Sequence, residues 1–73
     1  MSTLDNLYNA LTKKAQTANE GVTREMVEDW VGEAGSADKQ IAFMTATLAD
    51  IESGEYTAEE MVEDMLQLMY LDN

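Results

Sequence analysis

Four apolar stripes, each repeating at the spacing of an α-helix and each preceded by a serine or threonine, constrain the fold of this chain most. Ser2, Thr23, Ser36 and Thr57 stand immediately before the stripes. Ser and Thr are preferred helix N-caps because their hydroxyl oxygen accepts a hydrogen bond from a free N–H group of the first turn. The chain contains no proline, a residue that breaks helix interiors. The pattern therefore predicts an all-α fold, a small compact bundle of four short helices arranged as two helical hairpins.

Glycines mark the ends of the first three predicted helices. Gly21, Gly35 and Gly54 follow the stripes, and glycine is common at the C′ position just past a helix. Thr57 and Glu60 have the spacing of a capping box at the start of the fourth helix. We expect one helical domain, 1–73, with helices at about 3–19, 24–34, 37–53 and 58–71.

The apolar side chains suggest how the bundle is packed. Residues 40–49 carry no charge, so we expect the third helix to be central and covered on more than one side. We expect Trp30 to anchor the core, and we expect Phe43 and methionines such as Met61 to fill it. An adaptable binding surface is the alternative for Phe43 and the methionines. Tyr70 fits a buried and an interfacial position equally well.

The charge is unevenly distributed along the chain. Fifteen Asp and Glu residues stand against four Lys and Arg residues, for a formal net charge of −11. All four basic residues lie in the first 39 positions, and from residue 40 onward there are eight acids and no base. Such a field attracts cationic surfaces and repels nucleic acid and anionic membranes. We therefore expect a basic protein surface as the partner, and no direct binding to nucleic acid or to a membrane.

Like charges are placed four residues apart on the second and fourth predicted helices. Pairs such as Glu25/Asp29 and Glu59/Glu63 each destabilise a helix by about 0.2–0.5 kcal/mol. Helix stability therefore does not explain the pattern. Three explanations remain open: a solvated face that keeps the protein soluble, adaptation to a salty interior, and a surface that meets a protein rich in Lys and Arg.

The candidate partner-binding residues are the acids of the fourth helix and of the segment before it, with one nearby aromatic residue and, in support, the acids of the second helix. They are Asp50, Glu52, Glu55, Glu59, Glu60, Glu63, Asp64 and Tyr70, together with Glu25, Glu28, Asp29 and Glu33.

No catalytic or metal-binding motif is present in the sequence. Without His and Cys, the chain lacks the commonest general base and the commonest zinc ligands. Asp50, Glu52 and Gly54 resemble the start of a calcium loop, but loop position 12, where an acid is needed, is Met61. Ser36 opens a helix as the phosphopantetheine-bearing serine of acyl carrier proteins does, but the Asp-Ser-Leu motif of that family is missing. We expect no enzymatic activity, no cofactor and no metal site.

The start of the chain has no basic and apolar segments typical of a secretion signal, and no run approaches the roughly 20 apolar residues of a membrane helix. We therefore expect a cytoplasmic protein.

In size and acidity the chain resembles phage-encoded inhibitors and regulators of host enzymes. The composition indicates a non-enzymatic acidic protein that docks on a basic surface, inhibiting or regulating a nucleic-acid-handling protein, in one form as a nucleic-acid mimic. The alternative is a structural or self-assembling helical module, such as a homodimer, that pairs through its Met-rich faces or its first helix and whose acidity serves solubility only.

Overall fold

Four α-helices and one π-helical turn make up the fold. The computed structural model describes the backbone of residues 2–71 and the side chains of residues 2–69. The elements are α1 (Thr3–Ala18), α2 (Arg24–Gly32), α3 (Ala37–Ser53), α4 (Ala58–Leu66) and the π-helical turn Gln67–Leu71. These residues contain no β-strand. The prediction of a small all-α bundle of four helices is confirmed.

Each helix begins directly after the serine or threonine that the sequence indicates as its N-cap. The side-chain oxygens of Ser2, Thr23, Ser36 and Thr57 accept hydrogen bonds from the backbone N–H three residues further on, at 3.1, 3.2, 3.4 and 3.0 Å. All four residues have extended backbone angles, as N-caps do. A cap of this kind contributes about 0.5–2 kcal/mol, which is a large share of the stability of so small a bundle.

The helix ends agree less closely with the prediction. Gly54 ends α3 in the left-handed region, with φ 86°, as expected. By contrast, α2 stops at Gly32, and its C-cap Glu33 is right-handed. Gly35 does have a positive φ of 108°, but it lies in the connection to α3 rather than at the C′ position.

The central element is α1, so the expectation that α3 is central was wrong. The helix α1 packs against each of the other three, whereas α3 and α4 pack mainly on α1 and have little direct contact with each other. The side of α3 formed by Ala42, Ala46 and Ala49 is exposed. An uncharged stretch had indicated burial, but alanine loses little by facing water because its side chain is small.

The core lies between α1 and the elements around it. Its buried apolar residues are Tyr8, Leu11, Ala15, Val22, Val27, Val31, Met44, Met61, Val62 and Met65. Three of them are methionines, which confirms their predicted role in filling the core. The hydroxyl of Thr12 is also buried, and it has no hydrogen-bond partner among the described residues.

Two large side chains predicted to be in the core lie at its edge. Trp30 is only partly buried, and the fully buried side chains of α2 are Val27 and Val31. Phe43 is 36% exposed, because α3 is peripheral and its neighbours cover only one of its sides.

The helix predicted over 58–71 changes to π-helical winding after Leu66. Leu68, in that turn, is 39% exposed.

Candidate functional site

Seven of the candidate binding residues fall between residues 50 and 64, which we call the acidic segment. Its carboxylates are Asp50, Glu52, Glu55, Glu59, Glu60, Glu63 and Asp64. All seven side chains are exposed. The ion pairs within residues 2–69 involve none of them. The segment therefore presents its negative charge to the solvent, as the sequence predicts.

A tight turn fixes the middle of the acidic segment. Gly54 takes the left-handed conformation that L side chains rarely adopt. The backbone N–H groups of Glu55 and Tyr56 then both donate to the carbonyl oxygen of Asp50, at 3.0 and 3.2 Å. One carbonyl oxygen thus holds together the backbone that carries two of the candidate binding residues.

The start of α4 holds one further acid in place. The Thr57 hydroxyl accepts from the backbone N–H of Glu60 at 3.0 Å and donates to its carboxylate oxygen at 3.1 Å. Glu59 and Glu60 lie in the first turn of α4, where the helix dipole favours negative charge. Glu63 and Asp64 lie beyond that turn and gain little from the dipole.

Three carboxylates of the acidic segment line a groove of about 370 Å³, whose walls come from α2, α3, the loop after α3 and α4. We call it the aromatic–acidic groove. Its lining residues are Trp30, Phe43, Thr47, Asp50, Glu55, Tyr56 and Asp64. The other four carboxylates of the segment are outside this lining. The structure therefore divides the predicted site into a groove and a surrounding charged surface.

Trp30 and Phe43 form one wall of the groove. Their ring centroids are 5.1 Å apart and the planes meet at 73°, an edge-to-face arrangement that aromatic pairs prefer. The Thr47 hydroxyl donates to the backbone carbonyl of Phe43 at 2.8 Å. The ring contact links α2 to α3, and both rings remain partly accessible at the edge of the core.

Tyr56 and Asp64 close the other side of the groove. The Tyr56 hydroxyl donates to Oδ2 of Asp64 at 2.5 Å. Partial burial, followed by this hydrogen bond and the nearby carboxylates, raises the pKa of Tyr56 well above its ordinary value of 10.0. Tyr56 therefore remains a protonated donor at neutral pH, and one oxygen of Asp64 is already engaged.

The acids of α2 behave differently from one another. Glu25, Glu28, Asp29 and Glu33 are all exposed. Among them, Glu28 accepts a hydrogen bond from Nε of Arg24 at 2.8 Å, so its charge is compensated. Neither ion pair within residues 2–69 involves the other three. Glu28 is therefore the weakest of the predicted binding residues.

Arg24 also binds two side chains of α1. It donates to Oδ1 of Asp5 at 2.5 Å and to Oδ1 of Asn9 at 2.9 Å. Its guanidinium carbon is 5.5 Å from the centre of the Tyr8 ring, within the range of a cation–π contact. The i,i+4 spacing of Arg24 and Glu28 is visible in the sequence. The contacts with α1 depend on how α1 and α2 cross, and no local pattern indicates them.

The remaining predicted residue, Tyr70, has a side chain outside the described residues. The groove was not indicated by the sequence, whose patterns predicted core positions for Trp30 and Phe43 and no binding role for Tyr56. Trp30 and Tyr56 each follow a carboxylate directly, but the carboxylate nearest to Phe43 in the sequence, Asp38, is five positions away, so no local signal links the three rings.

Over the described residues, no group of three or more acidic side chains is placed so that it could hold a metal ion. Within the same residues, no helix combines the length and the apolar character that crossing a bilayer requires. The chain matches no protein-family model, no curated protein and no solved structure.

Proposed function

We propose that this chain is a non-enzymatic, cytoplasmic acidic binding protein that docks on a basic surface of another macromolecule. The observation that supports this most is the acidic segment, in which seven exposed carboxylates follow one another with no basic residue after position 39. A surface of this kind steers a cationic partner toward itself and holds it in register.

The acidic segment lowers the stability of the fold, which supports a role in binding rather than in folding. Glu59/Glu63 and Glu60/Asp64 are spaced i,i+4 on α4, and each such pair costs about 0.2–0.5 kcal/mol. Of these acids only Glu59 and Glu60 lie in the first turn. A single core of this size supplies only about 3–5 kcal/mol. A charge pattern that lowers stability, and that is not relieved by local basic residues, suits a surface whose charges are neutralised by a partner.

The partner class that fits best is a protein that handles nucleic acid. The surfaces of such proteins that bind DNA or RNA are rich in Lys and Arg, and carboxylates about 5–6 Å apart along a helix present a row of negative charges as phosphates do. In this role the protein is a nucleic-acid mimic that inhibits or regulates its target, in the manner of small phage-encoded regulators.

Retention from a lysate, combined with a charge-reversed variant, tests this function. Immobilised protein is exposed to cell lysate at low salt, and bound proteins are eluted with a salt gradient and identified. We expect DNA- or RNA-binding proteins that elute as the salt rises and that are displaced by added nucleic acid. Retention of proteins without that activity, or no retention, would contradict the proposal.

The matched variants separate a local surface from overall charge. Glu59→Lys with Glu63→Lys changes the acidic segment, and Glu20→Lys with Asp38→Lys makes the same change in net charge at exposed positions elsewhere. Only the first pair is expected to abolish retention. Full retention by the first pair would show that the acidic segment is not the binding surface.

Self-association is a second candidate, favoured by one observation. Phe43 and Leu68 are the large apolar side chains most exposed to solvent among residues 2–69. They line a smaller, mostly apolar groove of about 250 Å³ together with Trp30, Val31, Ala34 and one carboxylate, Glu33. The sequence indicated pairing through Met-rich faces or through the first helix. Met44, Met61 and Met65 are fully buried, and α1 packs against the other three helices, so the apolar groove is the better pairing surface.

The mass in solution at low and high salt distinguishes the two functions. A dimer that persists or strengthens as salt rises supports self-association through the apolar groove, and Phe43→Ser should then dissociate it. A monomer at all salt concentrations rules self-association out and leaves the binding function in place.

A further inference from the structure

The aromatic–acidic groove has features that electrostatic docking alone does not require. We propose that it receives an arginine side chain of the basic partner, an inference that rests on the function proposed above and names the residue recognised. The groove volume of about 370 Å³ lies within the range of about 300–1,000 Å³ that ligand pockets occupy. The guanidinium occupies the groove, and the exposed carboxylates of the acidic segment outside it meet the rest of the partner.

The charge of the lining selects a cation. Asp50, Glu55 and Asp64 contribute three carboxylates, and no basic side chain of the described residues lines the groove. A guanidinium carries five N–H donors and no acceptor, so it complements a lining whose charged groups are all acceptors. Asp64 offers the oxygen that Tyr56 does not occupy.

The aromatic lining distinguishes this groove from an ordinary patch of acids. Trp30, Phe43 and Tyr56 belong to three different parts of the chain, and all three line this groove. A cation within about 6 Å of an aromatic ring centre is attracted by the ring, and tryptophan is the strongest of the three in this respect. Carboxylates and rings together favour a group that is both charged and flat.

The protein contains its own example of the same recognition where α2 meets α1. The guanidinium of Arg24 lies over the ring of Tyr8 and bonds to the carboxylates of Asp5 and Glu28. One ring, two carboxylates and the amide oxygen of Asn9 together hold this guanidinium at the surface of the bundle. The aromatic–acidic groove offers the same types of group, with three rings and three carboxylates.

Arginine fits this lining better than other cations do. The groove carboxylates are not gathered closely enough to form a group that could hold a metal ion. A lysine ammonium is a compact, strongly hydrated charge, whereas the planar guanidinium stacks on rings and forms paired hydrogen bonds with carboxylates. The separated carboxylates and rings of the groove therefore match a guanidinium better than an ammonium.

Titration with two blocked peptides tests the proposal, one with four arginines separated by glycines and the other with lysines in their place. Trp30 is the single tryptophan of the chain and lines the groove, so its fluorescence reports occupancy. At low salt we expect the arginine peptide to bind about threefold or more tightly than the lysine peptide. Equal affinity for the two peptides would overturn the assignment of arginine.

Two pairs of substitutions with the same change in charge locate the binding. Asp50→Asn with Glu55→Gln removes two carboxylates of the groove, and Glu52→Gln with Glu59→Gln removes two exposed carboxylates outside it. We expect the groove pair to weaken arginine-peptide binding by about tenfold and to abolish the preference over lysine. The outer pair should weaken both peptides alike and by less. Circular dichroism confirms that each variant is folded.

The aromatic contribution has its own variant. Phe43→Leu keeps an apolar side chain at an exposed position but removes the ring, so it should lower arginine affinity about threefold and leave lysine affinity nearly unchanged. If the groove pair and the outer pair weaken binding equally, the groove has no special role, although the acidic segment still binds cations. If neither peptide binds even at low salt, the proposed function itself fails.

Discussion

Glu63→Lys is expected to make this protein more stable and, at the same time, a weaker binder of basic partners. Glu63 is exposed on α4, four residues after Glu59. The pair costs about 0.2–0.5 kcal/mol as it stands, and a Glu followed by a Lys at i,i+4 contributes about the same amount favourably. The substitution should therefore raise the free energy of unfolding by about 0.4–1 kcal/mol.

Thermal unfolding followed by circular dichroism measures this gain. For a domain of 60–100 residues, 1 kcal/mol shifts Tm by about 4–8 °C, so we expect a rise of about 2–8 °C at low salt. At 1 M salt, where the Debye length is about 3 Å, most of the difference should disappear. Binding to the arginine peptide should weaken under the low-salt conditions in which stability rises.

Glu20→Lys is the matched control, because it makes the same change in net charge at an exposed position between α1 and α2. It relieves the general repulsion of the protein but no i,i+4 pair. If Glu63→Lys stabilised the fold no more than Glu20→Lys, repulsion between carboxylates along α4 would not lower the stability of the fold. If it destabilised the fold, the carboxylate of Glu63 would have a structural role that its exposure does not indicate.

Three further substitutions test the packing and the groove. Leu11→Ala, on the fully buried side of α1, should lower the free energy of unfolding by about 2–5 kcal/mol and leave the chain largely unfolded by circular dichroism. Leu68→Ala, at an exposed position, should change the free energy measured by urea unfolding by no more than about 0.5 kcal/mol. Similar effects of the two substitutions would contradict the central position of α1. Thr12→Val removes a buried hydroxyl that has no hydrogen-bond partner among residues 2–69, so it should raise the free energy of unfolding by about 1 kcal/mol. A loss of stability would mean that the hydroxyl is bonded. The pKa of Tyr56 in the folded protein is raised above 10.0, so the contribution of the Tyr56 hydroxyl to stability is complete below pH 10 and is lost as the pH rises above it. Tyr56→Phe should therefore make the fall of Tm at alkaline pH less steep. An unchanged fall would refute the raised pKa.

Helix starts were readable from the sequence because each depends on one local hydrogen bond. Ser36 and Thr57 cap their helices through an N–H only three residues away, so their neighbours in sequence decide the outcome. The apolar side of α1 was readable for a similar reason, since a stripe at helical spacing indicates which side is buried. Local rules therefore sufficed for where the helices lie and which side of α1 is covered.

The relative placement of the helices was not readable in the same way. The uncharged stretch of α3 suggested burial on several sides, but its alanines face water while α1 takes the centre. The aromatic–acidic groove depends on that placement, since Trp30, Phe43 and Tyr56 come from three separate parts of the chain. Charge and spacing identified the acidic segment as a surface, and only the packing divides it into a groove and its surroundings.

The carbonyl oxygen of Asp50, which accepts both the Glu55 and the Tyr56 N–H groups, has a consequence for the speed and tightness of recognition. Three residues of the groove lining share this anchor, so their backbone is already arranged before a partner arrives. Binding then loses little conformational entropy in the loop, and a preorganised site of this kind dissociates more slowly than a flexible one with the same contacts. Insertion of one glycine after Gly54 would keep every side chain of the groove and remove that advantage.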